Sequence, residues 1–320
     1  MVHDAVVVKR TDRIIGSLLG LALGDAFGAP YEGGILERAL WFLIGTKRGK
    51  RRWTDDTQMT IDVVESLVSR RTVDQEDLAR RFAESYRWSR GYGPAMARVL
   101  KRIRKGEPWS FAARCVYQEG SFGNGGAMRS PAVGLFFASE SEEEVVEAIN
   151  DVTAVTHPHP LGREGAILIG LATTLTLNDV RPLDVMQRLG GRATSPLFLA
   201  RIQTAHDWLR KGSTVTPQRL ALELGNSVAA VESCVTAVYV ALANRERSFD
   251  DLLAFVIAIG GDVDTIAAMA GAIWGAARGL AELPQARLER LEQFDHLRGL
   301  AHSLATAATD RSTNRRRDTS

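Results

Sequence analysis

Glycine at every fourth position constrains this chain more than any other feature. Gly16, Gly20, Gly24 and Gly28 keep that spacing near the start, and Gly271, Gly275 and Gly279 repeat it near the end. Residues four apart share one face of an α-helix, so each set would draw a stripe free of side chains. A glycine inside a helix costs roughly 1 kcal/mol against alanine, and close approach of another backbone is the natural compensation. Two helices packed at short range, on each other or on neighbours, are one reading; glycine-rich loops are the other. The rest of the chain favours helices. Apolar residues recur at three- and four-residue spacing over 61–68, 78–88, 96–103, 145–152, 166–177, 197–209, 228–242 and 252–259. Strand-like alternation is almost absent, Val6-Val7-Val8 being a lone β-branched run. The pattern predicts an all-α protein, with a single domain over 1–305 and a polar, disordered tail over 306–320 that holds Arg315-Arg316-Arg317.

Composition narrows the class. With 45% hydrophobic and 24% charged residues, a mostly disordered chain is excluded. Forty Lys+Arg against 38 Asp+Glu leave a net charge of +2, which argues against a dedicated polyanion binder. Cys115 and Cys234 are the only cysteines, so a disulfide framework and a Cys-rich metal site are both excluded. The first residues lack a basic segment followed by an apolar one. The early apolar stretch 14–23 is broken by Gly16, Ser17 and Gly20, well short of the roughly 20 apolar residues of a membrane span. A cytoplasmic protein without a membrane partner is expected.

Two acidic motifs carry the chemistry. Trp53-Thr54-Asp55-Asp56-Thr57 precedes the helical run 58–69, and Gly260-Gly261-Asp262-Val263-Asp264-Thr265 precedes the run 266–280. Each has a local reading, in which one residue caps the helix and an acid favours the positive end of the macrodipole. Only one residue can be the N-cap, however, which leaves a surplus acid and an adjacent threonine at both starts. Four clustered carboxylates raise one another's pKa unless cations intervene. Hard divalent ions resolve that conflict, and Asp with Thr suits Mg²⁺ or Mn²⁺. If the two starts converge, they form a two-metal site able to activate water and polarise an oxygen. Spacing alone does not bring them together.

Other motifs are weaker alone. Glu32 follows the first glycine stripe and reads as a base, a metal ligand or a surface carboxylate; Asp25 reads as structural, bonded at a helix end. The segment 120–129, Gly-Ser-Phe-Gly-Asn-Gly-Gly-Ala-Met-Arg, lets backbone N–H groups approach a phosphate, but is neither a Walker A loop nor a dinucleotide fingerprint. A tight structural connection is its alternative. Thr156-His157-Pro158-His159 has a spacing that can bind zinc, but its prolines and the lack of nearby histidines argue against that. One of these histidines reads as a hydrogen-bond donor to a ligand. Neither cysteine sits in a nucleophile motif, so both read as packing residues.

Taken in order, these blocks resemble the ADP-ribosylglycohydrolase family. The resemblance rests on Gly20-Leu21-Ala22-Leu23-Gly24-Asp25 with Glu32, Trp53-Thr54-Asp55-Asp56-Thr57-Gln58-Met59, Gly123-Asn124-Gly125-Gly126-Ala127-Met128-Arg129, Thr156-His157 and Gly261-Asp262-Val263-Asp264-Thr265-Ile266-Ala267. It spans about residues 14–281. It implies an orthogonal all-helical bundle with a binuclear metal centre at the bottom of a cleft. Thr54, Asp55 and Asp56 would match one ligand group and Asp262, Asp264 and Thr265 the other, around two divalent ions, Mg²⁺ or Mn²⁺. Glu32 would match the mobile glutamate implicated in catalysis, acting with Asp55 and Asp56. Ser121, Phe122, Gly123 and Asn124 would cradle the diphosphate and distal ribose, with Phe122 near the adenine. His157 would help hold ADP-ribose, and Gly162 would border the same pocket. The implied reaction is attack of water on C1″ through an oxocarbenium-like state, with Glu32 assisting as acid or base.

Within the family, Arg90-Gly91-Tyr92-Gly93 with Val99-Leu100, and the loop 120–126, are similar to the branch that cleaves serine-linked ADP-ribose, poly(ADP-ribose) and O-acetyl-ADP-ribose. Arginine-linkage members of the nitrogenase-regulating type carry an acid in the segment matching 90–93, and none stands here. Phe122 replaces the serine branch's tyrosine, which keeps stacking and loses a phenolic hydrogen bond. Val263 replaces a common Thr or Ala and is expected to point away from the metals. The expected partner of this monomer is ADP-ribose or an ADP-ribosylated acceptor, a protein first, with nucleic acid left open. The alternatives are an arginine-linked hydrolase and a non-catalytic ADP-ribose binder.

Overall fold

The computed structural model describes the backbone of residues 2–318 and the side chains of residues 7–34, 38–39, 41 and 43–313. Helices dominate; among the described residues the only strands form a short antiparallel hairpin, Thr46–Lys47 with Lys50–Arg51. The two glycine stripes lie on helices and face each other. The first helix, Val2–Gly28, runs antiparallel to the late helix Val263–Arg278. A Cβ added at Gly16, Gly20 or Gly24 would overlap the backbone at Gly279, Gly271 or Ala267 respectively. At Gly28 it would stand 2.8 Å from Asp264 Cα. Ser17 Oγ donates to Ala272 O at 2.7 Å and Arg13 Nε to Ala276 O at 2.6 Å, along the same seam. Glycine's cost in helix propensity is thus offset by close backbone packing. The register has a further result: it delivers the end of the first helix, with Asp25, to the start of the late helix, with Asp264.

Around this pair pack Pro160–Leu177 and Ala230–Ala243, both buried along most of their length. Asp55–Arg70 and Ser130–Phe136 also touch the pair, the latter packing chiefly against Pro160–Leu177. The segment Val7–Tyr31 is long and apolar enough to cross a membrane, which corrects the shorter span expected from the broken stretch 14–23. Of its most apolar window, 89% is buried inside the protein. A central helix in an all-helical fold needs apolar residues on every face. The run Val6-Val7-Val8 belongs to the same helix. A β-branched residue loses only tenths of a kcal/mol of helix propensity, about 0.7 at most, which the buried continuation outweighs.

Where a polar, disordered tail is expected over 306–320, the described backbone from Thr306 to Asp318 is helical. The last helix, Phe294–Asp318, continues through it. Leu304, Ala305, Ala307 and Ala308 are buried. Arg311 donates to Glu140 at 2.6 Å and to Arg71 O at 3.1 Å, and lies 4.6 Å from the Phe137 ring. Small alanines make most of this contact, so composition gives little sign of it. The side chains of Arg315-Arg316-Arg317 lie outside the described residues.

Candidate active site

Thr54 is the N-cap of Asp55–Arg70; its Oγ1 accepts from Asp56 N at 3.3 Å. At the second start Asp262 holds the N-cap position without a side-chain capping bond. Asp264 Oδ1 accepts from Thr265 N at 2.8 Å. Capping therefore accounts for Thr54 and leaves Asp55, Asp56 and Asp262 unexplained.

The two helix starts meet. Thr265 Oγ1 donates to Asp56 Oδ1 at 3.3 Å, across 209 residues of sequence. Carboxylate oxygens of Asp25, Asp56 and Asp264 lie within 4.8 Å of one another, and so do those of Glu32, Asp262 and Asp264. Burial pushes Asp55 up to about 8, with the charge of Asp25 adding to it. Asp56 and Asp264 are held well above the usual carboxylate range, again by burial first and by neighbouring carboxylates second. Burial raises Asp262 as well, opposed by the amide of Asn124, which donates to its Oδ2 at 2.5 Å. Asp56 Oδ2 is buried with no hydrogen-bond partner. An orphaned buried oxygen is expensive, and the positive ends of two helices offset only part of the repulsion. Oxygen donors alone, crowded and short of positive charge, fit hard divalent cations.

Asp25 is structural, as its place at a helix end suggests, but the end it holds belongs to another helix. Its carboxylate reaches across to the start of another helix. Both oxygens accept from Thr54 N, at 2.9 and 3.0 Å, and Oδ2 also accepts from Thr57 N at 3.0 Å and from the Thr57 hydroxyl. Burial raises it to about 6 despite these bonds. Asp25 thus fixes the turn that presents Asp55 and Asp56. The turn is clamped from outside by Arg90, whose Nη1 donates to Trp53 O and to Glu292 Oε2, each at 2.7 Å. Its guanidinium stacks 3.5 Å from the Trp53 ring.

The acids line a cavity of about 450 Å³. Asp55, Asp56, Asp262, Asp264, Thr265 and Glu32 are all in its lining. Ser121, Gly123, Asn124 and His157 also line it. Thr54, Phe122 and Gly162 stand outside it. Thr54 is turned to capping. Phe122 is half exposed and packs edge-on to His159, its ring 5.8 Å away. Gly162 lies beneath the loop: a Cβ there would be 2.8 Å from Ser121 O. Sequence reasoning gave Met96 and Tyr117 no place in the site and Val99 only a place in the branch motif, yet all three line the cavity. The three-residue spacing of Met96 and Val99 on Pro94–Arg104 marked a buried face, but nothing marked Tyr117.

The glycine loop is shaped by packing. A Cβ at Gly125 would stand 2.6 Å from the His157 ring, and one at Gly126 would stand 2.5 Å from Thr153 Cγ2. Gly123 N donates to Ser121 Oγ at 3.2 Å and Asn124 N to Val228 O at 3.0 Å. Those two amides are therefore already paired. The second histidine, His159, caps Pro160–Leu177 through Nδ1, 3.1 Å from Leu161 N.

Fold and site together define a predominantly helical protein with a buried acidic centre that lines a cavity and is suited to divalent cations. The family model for ADP-ribosylglycohydrolase matches residues 7–314. ADP-ribosylhydrolase ARH3 of Mus musculus is 32% identical, over 92% of this chain and 92% of its own length. The Homo sapiens protein of the same name is 32% identical over 92% and 93%. A solved ADP-ribosylglycohydrolase-related protein complex superposes with a TM-score of 0.69 over 94% of this chain and 99% of that one; at 24% identity it speaks for the fold alone. The chain belongs to the ADP-ribosylglycohydrolase family.

Proposed function

We propose that this protein hydrolyses the C1″ glycosidic bond of ADP-ribose attached to an acceptor through oxygen, serine-linked ADP-ribose first. One observation carries the reading: two acid pairs from helix starts far apart in sequence converge in one cleft, in a chain of this family. Two divalent cations, Mg²⁺ or Mn²⁺, held by Asp55, Asp56, Asp262, Asp264 and Thr265 with Thr54 adjoining, would supply the charge that orients the ribose hydroxyls and polarises the bond to be cut.

The chain's own groups do the rest. Glu32 lies in the lining with its carboxylate near Asp262 and Asp264, where it can take a proton from water or give one to the leaving oxygen. Asn124 uses its amide N–H groups on Asp262 and on Ser233 Oγ at 3.0 Å, which leaves its carbonyl oxygen to accept from a sugar hydroxyl. Met96, Val99, Met128 and Val228 give the cleft an apolar wall that limits water. Beside Asp55 the wall is Gly91, Gly93 and Pro94. That wall brings no carboxylate to pair with a guanidinium, which favours an oxygen-linked acceptor over arginine.

The test is release of free ADP-ribose from serine- and arginine-modified peptides, run in parallel with Mg²⁺. Release from the serine peptide, lost with chelator and in Asp55→Ala, is expected. Release from the arginine peptide alone would reassign the acceptor, and tight binding without release from either would make the protein a binder.

A further inference from the structure

Arg129 is fully buried, yet among the described residues no carboxylate lies within ion-pair distance of it. A buried guanidinium is costly unless its donors are used. Nη1 donates to Gly125 O at 2.6 Å, Nη2 donates to Thr156 Oγ1 at 2.6 Å, and the plane packs 4.9 Å from the Phe82 ring. The next link is the 2.8 Å contact between Thr156 Oγ1 and His157 Nδ1. His157 itself is buried and lines the cleft.

We propose that Arg129 is a positioning residue which, through Thr156, holds His157 in the tautomer protonated on Nε2 and aims that N–H at a negatively charged ligand oxygen beside Gly123 and Gly125. A guanidinium can only donate, so Thr156 Oγ1 accepts from it. Among the described residues the hydroxyl's single proton has no other acceptor in reach than His157 Nδ1, so Oγ1 donates there. With Nδ1 accepting, the proton of a neutral ring sits on Nε2. The ring is neutral because burial, followed by the charge of Arg129, pushes its pKa down to about 3. Arg129 stays cationic at neutral pH even though burial lowers it to about 9. Nε2 faces the loop: a Cβ at Gly125 would stand 2.8 Å from it and one at Gly123 3.8 Å. The same guanidinium therefore fixes both walls of one subsite, the loop through Gly125 O and the donor through Thr156. Polarisation along the chain strengthens the final N–H as a donor. The phosphoryl oxygens of ADP-ribose match that donor, and in this respect the inference rests on the proposed function.

The experiment is long-range ¹⁵N NMR of the histidine-labelled full-length protein, with His157→Gln to assign the ring, beside calorimetric titration with ADP-ribose. The wild-type ring should carry its proton on Nε2, with Nδ1 as acceptor, in the absence of ligand. Thr156→Val should release the ring into mixed tautomers and weaken ADP-ribose about tenfold, a lost hydrogen bond to a charged group. Thr156→Ser should restore both. In turnover the loss should fall on KM more than on kcat. A wild-type ring protonated on Nδ1, or Thr156→Val with unchanged affinity, would overturn the relay. Because the tautomer is read without ligand, failure of the wild type to bind ADP-ribose would count against the proposed function instead.

Discussion

Asp56 places a buried, unpartnered oxygen among the carboxylates of Asp25 and Asp264, and that shortage of positive charge is the central chemical fact of the site. Asp56→Ala and Asp262→Ala are expected to abolish ADP-ribose release and also the rise in Tm that Mg²⁺ gives the wild type. The pH dependence follows. An unfolded aspartate ionises near pH 4, whereas Asp55 in the cation-free fold keeps its proton up to about 8. In that window the folded state binds more protons, so its stability falls as pH rises. The Mg²⁺-induced increase in Tm should therefore be larger at about pH 8 than at about pH 5, as read by differential scanning fluorimetry. The surplus acids and the flanking threonines were legible in sequence because capping can use only one residue per helix. Asp25 was legible as structural and bonded at a helix end, but not in which end: its partners, Thr54 and Thr57, belong to another helix start, which no local pattern discloses.

At the scale of elements, the glycine stripes carry the strongest prediction. Gly20→Ala would drive a methyl group into the Gly271 carbonyl, and neither backbone can yield. A loss of at least about 3 kcal/mol is expected in urea unfolding, at or above the usual range for overpacking. Gly299, exposed in the last helix with nothing near its Cβ position, is the control. There alanine should stabilise by about 0.5–1 kcal/mol through helix propensity. The stripes made the close pairing legible, because few other arrangements compensate so many helical glycines. The last helix was hidden by its polar composition, since Ala307, Ala308 and Arg311 make its contacts. Removal of 306–320 is expected to lower Tm by several degrees, whereas a loose tail would leave it unchanged. The glycine loop was legible as special but not in its cause, which is the ring of His157 and the side chain of Thr153 pressed against it.

Over the whole molecule, backbone register and chemistry are one device. The seam between Val2–Gly28 and Val263–Arg278 sets Gly28 beside Asp264, and Asp25 then carries the Thr54–Asp56 turn to the same point. The helical class was legible from periodicity, and the order of motifs pointed to the family. The convergence itself needed three dimensions, as did the packing of Gly162 beneath Ser121. The most direct test is anomalous diffraction from crystals soaked in Mn²⁺. Two anomalous peaks bounded by Asp55 and Asp56 on one side and by Asp262 and Asp264 on the other are predicted. Ordered acids with no peak between them, in crystals of protein that still releases ADP-ribose, would contradict the account.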